Sequence, residues 1–388
     1  MSLGVYIQVP FCQTKCTYCN FHTGAVSSAR FAPYVEAVSR EIANYQQLYE
    51  QVGISLRDLA SQAAVDTVYI GGGTPSLLNP LLVARLLQSV RDAFCCEWSE
   101  VTLEVDPETV DAEKAAAWAT AGIARISFGV QSFCDAELKA SGRMHRSEDI
   151  YRAVALLRDA GIANISFDLI AGLPHQTVAS WRHSLEELIA LAPQHVSVYL
   201  LEVDEGSRLG REALNGGDKY SAKALPTDDE MAEFYERACQ ALANAGYEHY
   251  EISNWARPGF ASRHNLKYWR RELYLGFGAG AHSFSGSQRW ANAHDPAAYS
   301  LAVQAGRLPV EQLERISEKQ ALDEELFLGL RQLSGLYMTR IESFYGVSLA
   351  TRIEKLAASG LLERHGSIVR LAPEKLSISN EVFVELLS

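Results

Sequence analysis

Residues 121–128 read Ala, Gly, Ile, Ala, Arg, Ile, Ser, Phe, and the same wording returns at 160–167 with Asn164 in place of Arg125. In each copy a helical pattern ends on a glycine, the residue that closes a helix in the left-handed conformation. A short strand-like run follows at once. The repeating element is therefore a strand–helix unit. Strand-like runs at 5–9, 66–70, 101–105 and 195–201 join those at 125–129 and 164–169 to make six. Helical patterns lie between them: Asn79 and Pro80 open 81–94, Asp111 opens 112–121, and Ser147 opens a stretch that Gly161 ends. Six β/α units in series require a parallel sheet with helices outside it, as a doubly wound sheet or a partial barrel.

The placement of polar residues favours the barrel, because barrels carry their chemistry at the carboxyl ends of the strands. Three cysteines follow the first strand, and Gly71, Gly72, Gly73, Thr74 and Pro75 follow the second. The third carries Glu104 and Asp106, the fourth Gln131, the fifth Asp168, and the sixth Tyr199 and Glu202. The expected fold class is thus α/β, a partial (β/α)6 barrel over 1–235. An aperiodic loop at 205–227 and a helix at 228–245 lead into 236–310, an α+β extension or linker rich in aromatics. The remainder, 311–388, reads as helices at 318–333, 338–344 and 349–359 and a hairpin at 361–364 and 368–371, which is a winged-helix-like outline. From Glu311 onward nine Lys/Arg face twelve Asp/Glu, and the whole chain has a formal net charge of −12. Both balances argue against nucleic acid as a partner.

Cys12, Cys16 and Cys19 form a C-x3-C-x2-C loop directly after the first strand. Three thiolates can hold an iron–sulfur cluster one ligand short of closure, leaving one iron open. With His22 the same loop could instead hold a structural zinc. The other four cysteines, Cys95, Cys96, Cys134 and Cys239, are scattered, which fits a reducing compartment better than a disulfide framework. No apolar run approaches the ~20 residues of a membrane span, and the sequence opens on a strand-like segment without the pattern of a signal peptide. A cytoplasmic location is expected.

These segments together resemble the radical S-adenosylmethionine superfamily, and within it the group holding oxygen-independent coproporphyrinogen III oxidase and the HemW-type heme chaperones. The resemblance rests on Tyr6 through Cys12, the cysteine loop, Gly71 through Ser76, Gly129 through Phe133, Asp168 through Pro174, and the H-N-x-x-Y-W pattern of His264, Asn265, Tyr268 and Trp269. It implies that Cys12, Cys16 and Cys19 hold a [4Fe–4S] cluster. It also implies that Tyr6, Tyr18, Gly72, Gly73, Thr74, Glu104, Gln131, Arg143 and Asp168 hold the cluster loop or S-adenosylmethionine. An electron from such a cluster cleaves the sulfonium to methionine and a 5′-deoxyadenosyl radical.

Two departures separate the chaperone from the oxidase. The oxidases resemble C-x3-C-x2-C-x-C, and here the last of those positions is Phe21. The sequence also starts at the first barrel strand, without the extension that helps shape the oxidase's substrate site. The expectation is a heme chaperone passing heme to apoproteins such as respiratory hemoproteins, with the oxidase as the alternative enzyme reading. A third class, radical methylation with heme ring opening, shares the cluster motif. His264 is expected as a heme ligand with Tyr268 and Trp269 stacking on the porphyrin, and His282 as a weaker candidate. The implied partners are heme or another tetrapyrrole, heme-accepting apoproteins and an electron donor such as flavodoxin or ferredoxin; the acidic composition is compatible with peripheral membrane contact.

Overall fold

A computed structural model describes residues 2–51, 53–54 and 63–387. The alternation along its strands decides the architecture. In β1 (Ser2–Val9) the side chains of Leu3, Val5, Ile7 and Val9 are fully buried, while Tyr6 and Gln8 take the opposite face. The same parity runs through β2 (Ala64–Gly72), β3 (Cys96–Val105), β4 (Arg125–Gln131), β5 (Asn164–Ala171) and β6 (His195–Leu200). One face is Val68, Leu103, Phe128, Phe167 and Val198, all in the main apolar core. The other is Tyr69, Glu104, Ser127, Asp168 and Ser197, which surround a cavity. A sheet with one apolar and one polar face stays buried on both sides only by wrapping the apolar face in helices and curling the polar face inward.

The six strands pair in chain order, each parallel to the next. The two repeated segments lie side by side in register, Arg125 opposite Asn164 and Ser127 opposite Ser166. Between the strands run α1 (Phe31–Ala43), α2 (Pro80–Ala93), α3 (Ala112–Ala121), α4 (Ser147–Asp159) and α5 (Val178–Leu191). The Asn79 side chain accepts from Leu81 N–H to open α2, and Asp111 accepts from Lys114 N–H to open α3. Gly122, at φ 100°, closes α3. At α4 the expectation is off by one residue: Ser147 is the first helical residue, and Asp149 accepts the Arg146 N–H (2.9 Å).

Residues 248–315 add strands to the same sheet. α6 (Asp228–Asn244), capped by Thr227, leads into β7 (Glu248–Glu251) and β8 (Asn254–Ala256), which extend the sheet beyond β6. After α7 (Arg263–Trp269) the chain crosses to the other side. There β9 (Tyr274–Phe277) pairs parallel to β1, and β10 (His282–Phe284), β11 (Gln288–Asn292) and β12 (Val310–Arg315) continue antiparallel. The result is a 12-stranded sheet.

The C-terminal part holds α8 (Glu318–Gly329), α9 (Met338–Tyr345) and α10 (Ala350–Ala358) with a small sheet. Its strands are β13 (Leu336–Tyr337), β14 (Leu362–His365) and β15 (Ile368–Leu371), in the order β13-β15-β14. Both hairpin strands fall where the sequence pattern puts them. Among the described residues no helix is long and apolar enough to cross a membrane.

Candidate functional site

The cysteine loop is a hoop. Phe11–Cys12 pairs with Gly24–Ala25, so the chain from 12 to 24 returns to its own start. Two other regions hold the hoop in place. Thr17 N–H donates to the Ser141 carbonyl (3.0 Å), and Leu209 N–H donates to the Thr17 carbonyl (2.8 Å). Asn20 Nδ2 donates to Asp204 (2.8 Å), and the Arg208 guanidinium donates to the Lys15 carbonyl. The Leu209 and Arg208 contacts come from the segment expected to be aperiodic. It contains a helix, Arg208–Leu214, whose N-cap Ser207 accepts from Gly210 N–H (2.8 Å).

Cys12, Cys16 and Cys19 are free thiols lining one cavity of about 460 Å3. Among the described residues no group of three or more His, Cys, Asp or Glu converges on a single-ion position. The His22 ring is not in the lining of that cavity and packs on His294 at 4.2 Å between centroids. A tetrahedral zinc needs all four donors about 2 Å from one point, so the zinc reading loses its geometry. Three thiols spaced around a cavity are instead the donor set of a larger inorganic cluster. Burial pushes the Cys12 thiol up, while the Thr23 and Thr74 hydroxyls pull it down. Bound iron would take the thiolate.

The floor of this cavity is cut close to the backbone. A Cβ on Gly73 would lie 2.4 Å from the Phe11 carbonyl and 3.0 Å from Cys12 Sγ, so only glycine lets β2 end against the hoop. Glu104 accepts from Gly72 N–H (2.8 Å) and from the Tyr69 hydroxyl (2.9 Å). Burial raises its carboxyl to about 7, and those two donors oppose the rise. Asp168 is likewise raised by burial, against hydroxyls that include Ser127 (2.9 Å). Arg143 spans the wall: it pairs with Asp106, donates to the Gly129 carbonyl (3.0 Å) and points Nη1 at Cys16 Sγ (3.7 Å). Burial would lower its pKa, but Asp106, Tyr18 and Cys16 outweigh it and hold the guanidinium charged. Gln131 sits in the left-handed region at φ 64°, which turns the chain at the end of β4.

Tyr18, Gly72, Gly73, Thr74, Glu104, Gln131, Arg143 and Asp168 therefore line one cavity together with the three cysteines. Tyr6 does not. Its hydroxyl donates to Gln8 (2.6 Å), its ring lies 6.0 Å from that of Tyr69, and Tyr69 occupies the cavity wall.

His264 is also outside the lining, although Asn265 beside it lines the cavity and its own ring lies 5.3 Å from that of Tyr69. It is 1% exposed, with Nδ1 against Thr67 Oγ1 (2.9 Å) and Nε2 against the Tyr268 hydroxyl (2.9 Å). Burial, then the charges of Lys267 and Arg125, lower its pKa to about 3, so the imidazole is neutral with both nitrogens engaged. Tyr268 packs edge-on to Tyr274, and Trp269 lies under the Arg331 guanidinium (4.6 Å).

Arg125, Ser127, Ser197 and Tyr69 line the cavity without having been picked out from the sequence. The signal was there in the two-residue period: Arg125, Ser127, Gly129 and Gln131 share one face of β4.

Comparison with known proteins agrees with this geometry. The Radical SAM superfamily model matches residues 6–188, and the HemN C-terminal domain model matches 316–374. The chain is 33% identical to the heme chaperone HemW of Bacillus subtilis, covering 98% of each chain. It is 35% identical to that of Mycobacterium tuberculosis, covering 94% of this chain and 89% of the relative. It is 32% identical to the mouse radical S-adenosyl methionine domain-containing protein 1, mitochondrial, covering 99% and 87%. The solved structure of the Escherichia coli coproporphyrinogen III oxidase HemN shares the fold, with a TM-score of 0.83 over 100% of this chain and 90% of that one, at 20% identity. The chain belongs to the HemW family of the radical S-adenosylmethionine superfamily.

Proposed function

We propose that this family member is a heme chaperone, holding a [4Fe–4S] cluster and S-adenosylmethionine at the barrel mouth, binding heme and passing it to apoproteins. The observation that carries this reading is its end-to-end similarity to proteins named for that role. Cys12, Cys16 and Cys19 would hold the cluster, which supplies one-electron reduction of a sulfonium bound at its open iron. The protein's own residues do the rest. The Gly72–Gly73 turn, whose amides are spent on Glu104 and the Val9 carbonyl, brings backbone without a Cβ to the cavity and leaves room for a small zwitterion. Glu104 and Asp168 supply acceptors for its ammonium and ribose hydroxyls, and Arg143 keeps the thiolate side of the site positive. Phe21, 66% exposed at the rim, places an apolar ring where the oxidases place a further thiol. A flavodoxin- or ferredoxin-type donor would supply the electron.

The test is anaerobic. The reconstituted protein is titrated with hemin, then mixed with an apo-hemoprotein, and separately incubated with coproporphyrinogen III, S-adenosylmethionine and reductant. Stoichiometric heme binding followed by transfer is expected. Protoporphyrinogen IX formed over many turnovers would overturn the chaperone in favour of the oxidase.

A further inference from the structure

The repeated Ile-Ser-Phe of 126–128 and 165–167 places two serines opposite each other, Ser127 on β4 and Ser166 on β5. Both hydroxyls reach Asp168. Ser127 donates to Oδ2 (2.9 Å) and Ser166 to Oδ1 (3.4 Å), one to each oxygen. Ser197, opposite Asp168 on β6, adds a third hydroxyl that favours the ionised carboxylate. Resting on the placement of S-adenosylmethionine in the barrel cavity, we propose that His195 is a positioning residue for that ligand: through Ser166 it fixes the Asp168 carboxylate that accepts from the ribose.

His195 opens β6 directly opposite Ser166 and is fully buried. Its Nδ1 meets Ser166 Oγ at 2.7 Å, and its Nε2 meets the Tyr250 hydroxyl at 2.7 Å. Tyr250, on β7, accepts in turn from the backbone N–H of Ser262, the N-cap of α7 (3.3 Å). Ser262, Tyr250, His195, Ser166 and Asp168 thus form one line of hydrogen bonds that ends at the cavity.

The direction of that line is set at both ends. A backbone amide can only donate, so the Tyr250 oxygen accepts from Ser262 and its own proton goes to His195 Nε2. An ionised carboxylate can only accept, so the Ser166 proton goes to Asp168 and its oxygen accepts from His195 Nδ1. Both ends require the same neutral tautomer, with the proton on Nδ1. Burial, then the charge of Arg125, pushes the imidazole well below its ordinary pKa and keeps it neutral. The other tautomer would present an acceptor to Ser166, draw its proton away and leave Asp168 Oδ1 without that donor.

Held by a hydroxyl on each oxygen, the carboxylate is fixed in rotation, and its remaining lone pairs are kept for donors in the cavity that Asp168 lines. Ser166, His195, Tyr250 and Ser262 are not in that lining, so their effect on a ligand passes through Asp168.

The experiment is calorimetric titration of the full-length, cluster-loaded protein with S-adenosylmethionine and with an analogue lacking both ribose hydroxyls. Wild-type protein should prefer S-adenosylmethionine by about tenfold or more, the worth of a hydrogen bond to a charged group. His195→Phe, which keeps a ring and removes both nitrogens, should weaken S-adenosylmethionine about fivefold and leave the analogue's affinity unchanged. On an Asp168→Asn background the same substitution should cost nothing further. Tyr250→Phe, which trims one hydroxyl, should act in the same direction by a smaller factor, and carries the test if the buried His195→Phe does not fold. Equal loss of both ligands, or a further loss on the Asp168→Asn background, gives His195 a purely structural place and overturns the proposal, as does wild-type affinity in His195→Phe. Wild-type protein that binds S-adenosylmethionine without preferring it to the analogue overturns the placement of the ribose on Asp168, and is thereby told apart from failure of the His195 line alone.

Discussion

The two ends of the barrel are built from the same kinds of residues and left in opposite states. At the floor, Glu100 accepts from Arg263 N–H (2.9 Å) and His264 N–H (3.0 Å), placing a carboxylate on the N-terminus of α7. Lys267, 3% exposed, is ringed by Asp66 (2.8 Å), Ser2 (2.7 Å) and Glu272 (3.3 Å). Around the cysteine hoop, by contrast, Arg143 Nε and Thr17 Oγ1 are buried without hydrogen-bond partners. A polar cluster that satisfies itself holds the fold together. One that does not, beside a cavity, leaves donors that a polar ligand seated there would satisfy.

Substitutions at the two ends should separate these roles. Cys16→Ala should have the largest effect, complete loss of a reducible [4Fe–4S] EPR signal from protein that stays folded by circular dichroism. A retained four-iron signal would put the ligand assignment in error. Glu100→Ala takes the acceptor from two amides of α7, the one on His264 buried, and should lower the unfolding free energy by about 1–3 kcal/mol in urea. Its cluster content per folded molecule should not change; if cluster binding falls instead, floor and mouth are not separable.

Glu104→Gln should do the reverse, weakening S-adenosylmethionine binding roughly tenfold, ~1.4 kcal/mol, by calorimetry with little change in stability. The smallest effect concerns Glu41 on α1, a buried carboxylate fully served by Tyr299, Gly278 N–H (2.9 Å) and Asn292 (2.7 Å). Burial raises it to about 7, from an ordinary value of 4.5. Between those values the folded chain holds a proton that the unfolded chain has lost, so stability falls as pH rises from about 5 to about 7. The fall should be on the order of 1 kcal/mol and should flatten in Glu41→Gln.

Much of the barrel could be read from the chain because its signals are local. A helix that ends on glycine and a strand with a two-residue period need only near neighbours, and the six parallel strands appear where those signals lie. The cysteine loop was legible for the same reason, since its three thiols are eight residues from end to end. What could not be read was which side of the barrel a later segment would reach. The aromatic stretch after 247 splits, sending β7 and β8 to one side of the sheet and β9 through β12 to the other, with α7 closing the floor between them. His264 was expected as a ligand because the H-N-x-x-Y-W pattern at 264–269 resembles that of the HemW-type chaperones. The contacts its ring makes in space, with Thr67 and Tyr268, come from partners that no local pattern names.

The sequence by itself determined the parallel sheet, the polar and apolar faces of each strand, and the chemistry of the hoop. All three follow from residue type and short-range spacing. Only the tertiary structure decided which polar groups are spent on one another and which remain free. That depends on contacts such as Glu100 with α7, Thr17 with Leu209 and His22 with His294, made between residues far apart in the chain. Hydrogen-bond saturation is a property of such long-range partners, and it is what distinguishes His264, engaged at both ring nitrogens, from a side chain such as Arg143 with a nitrogen left unpaired beside the cavity.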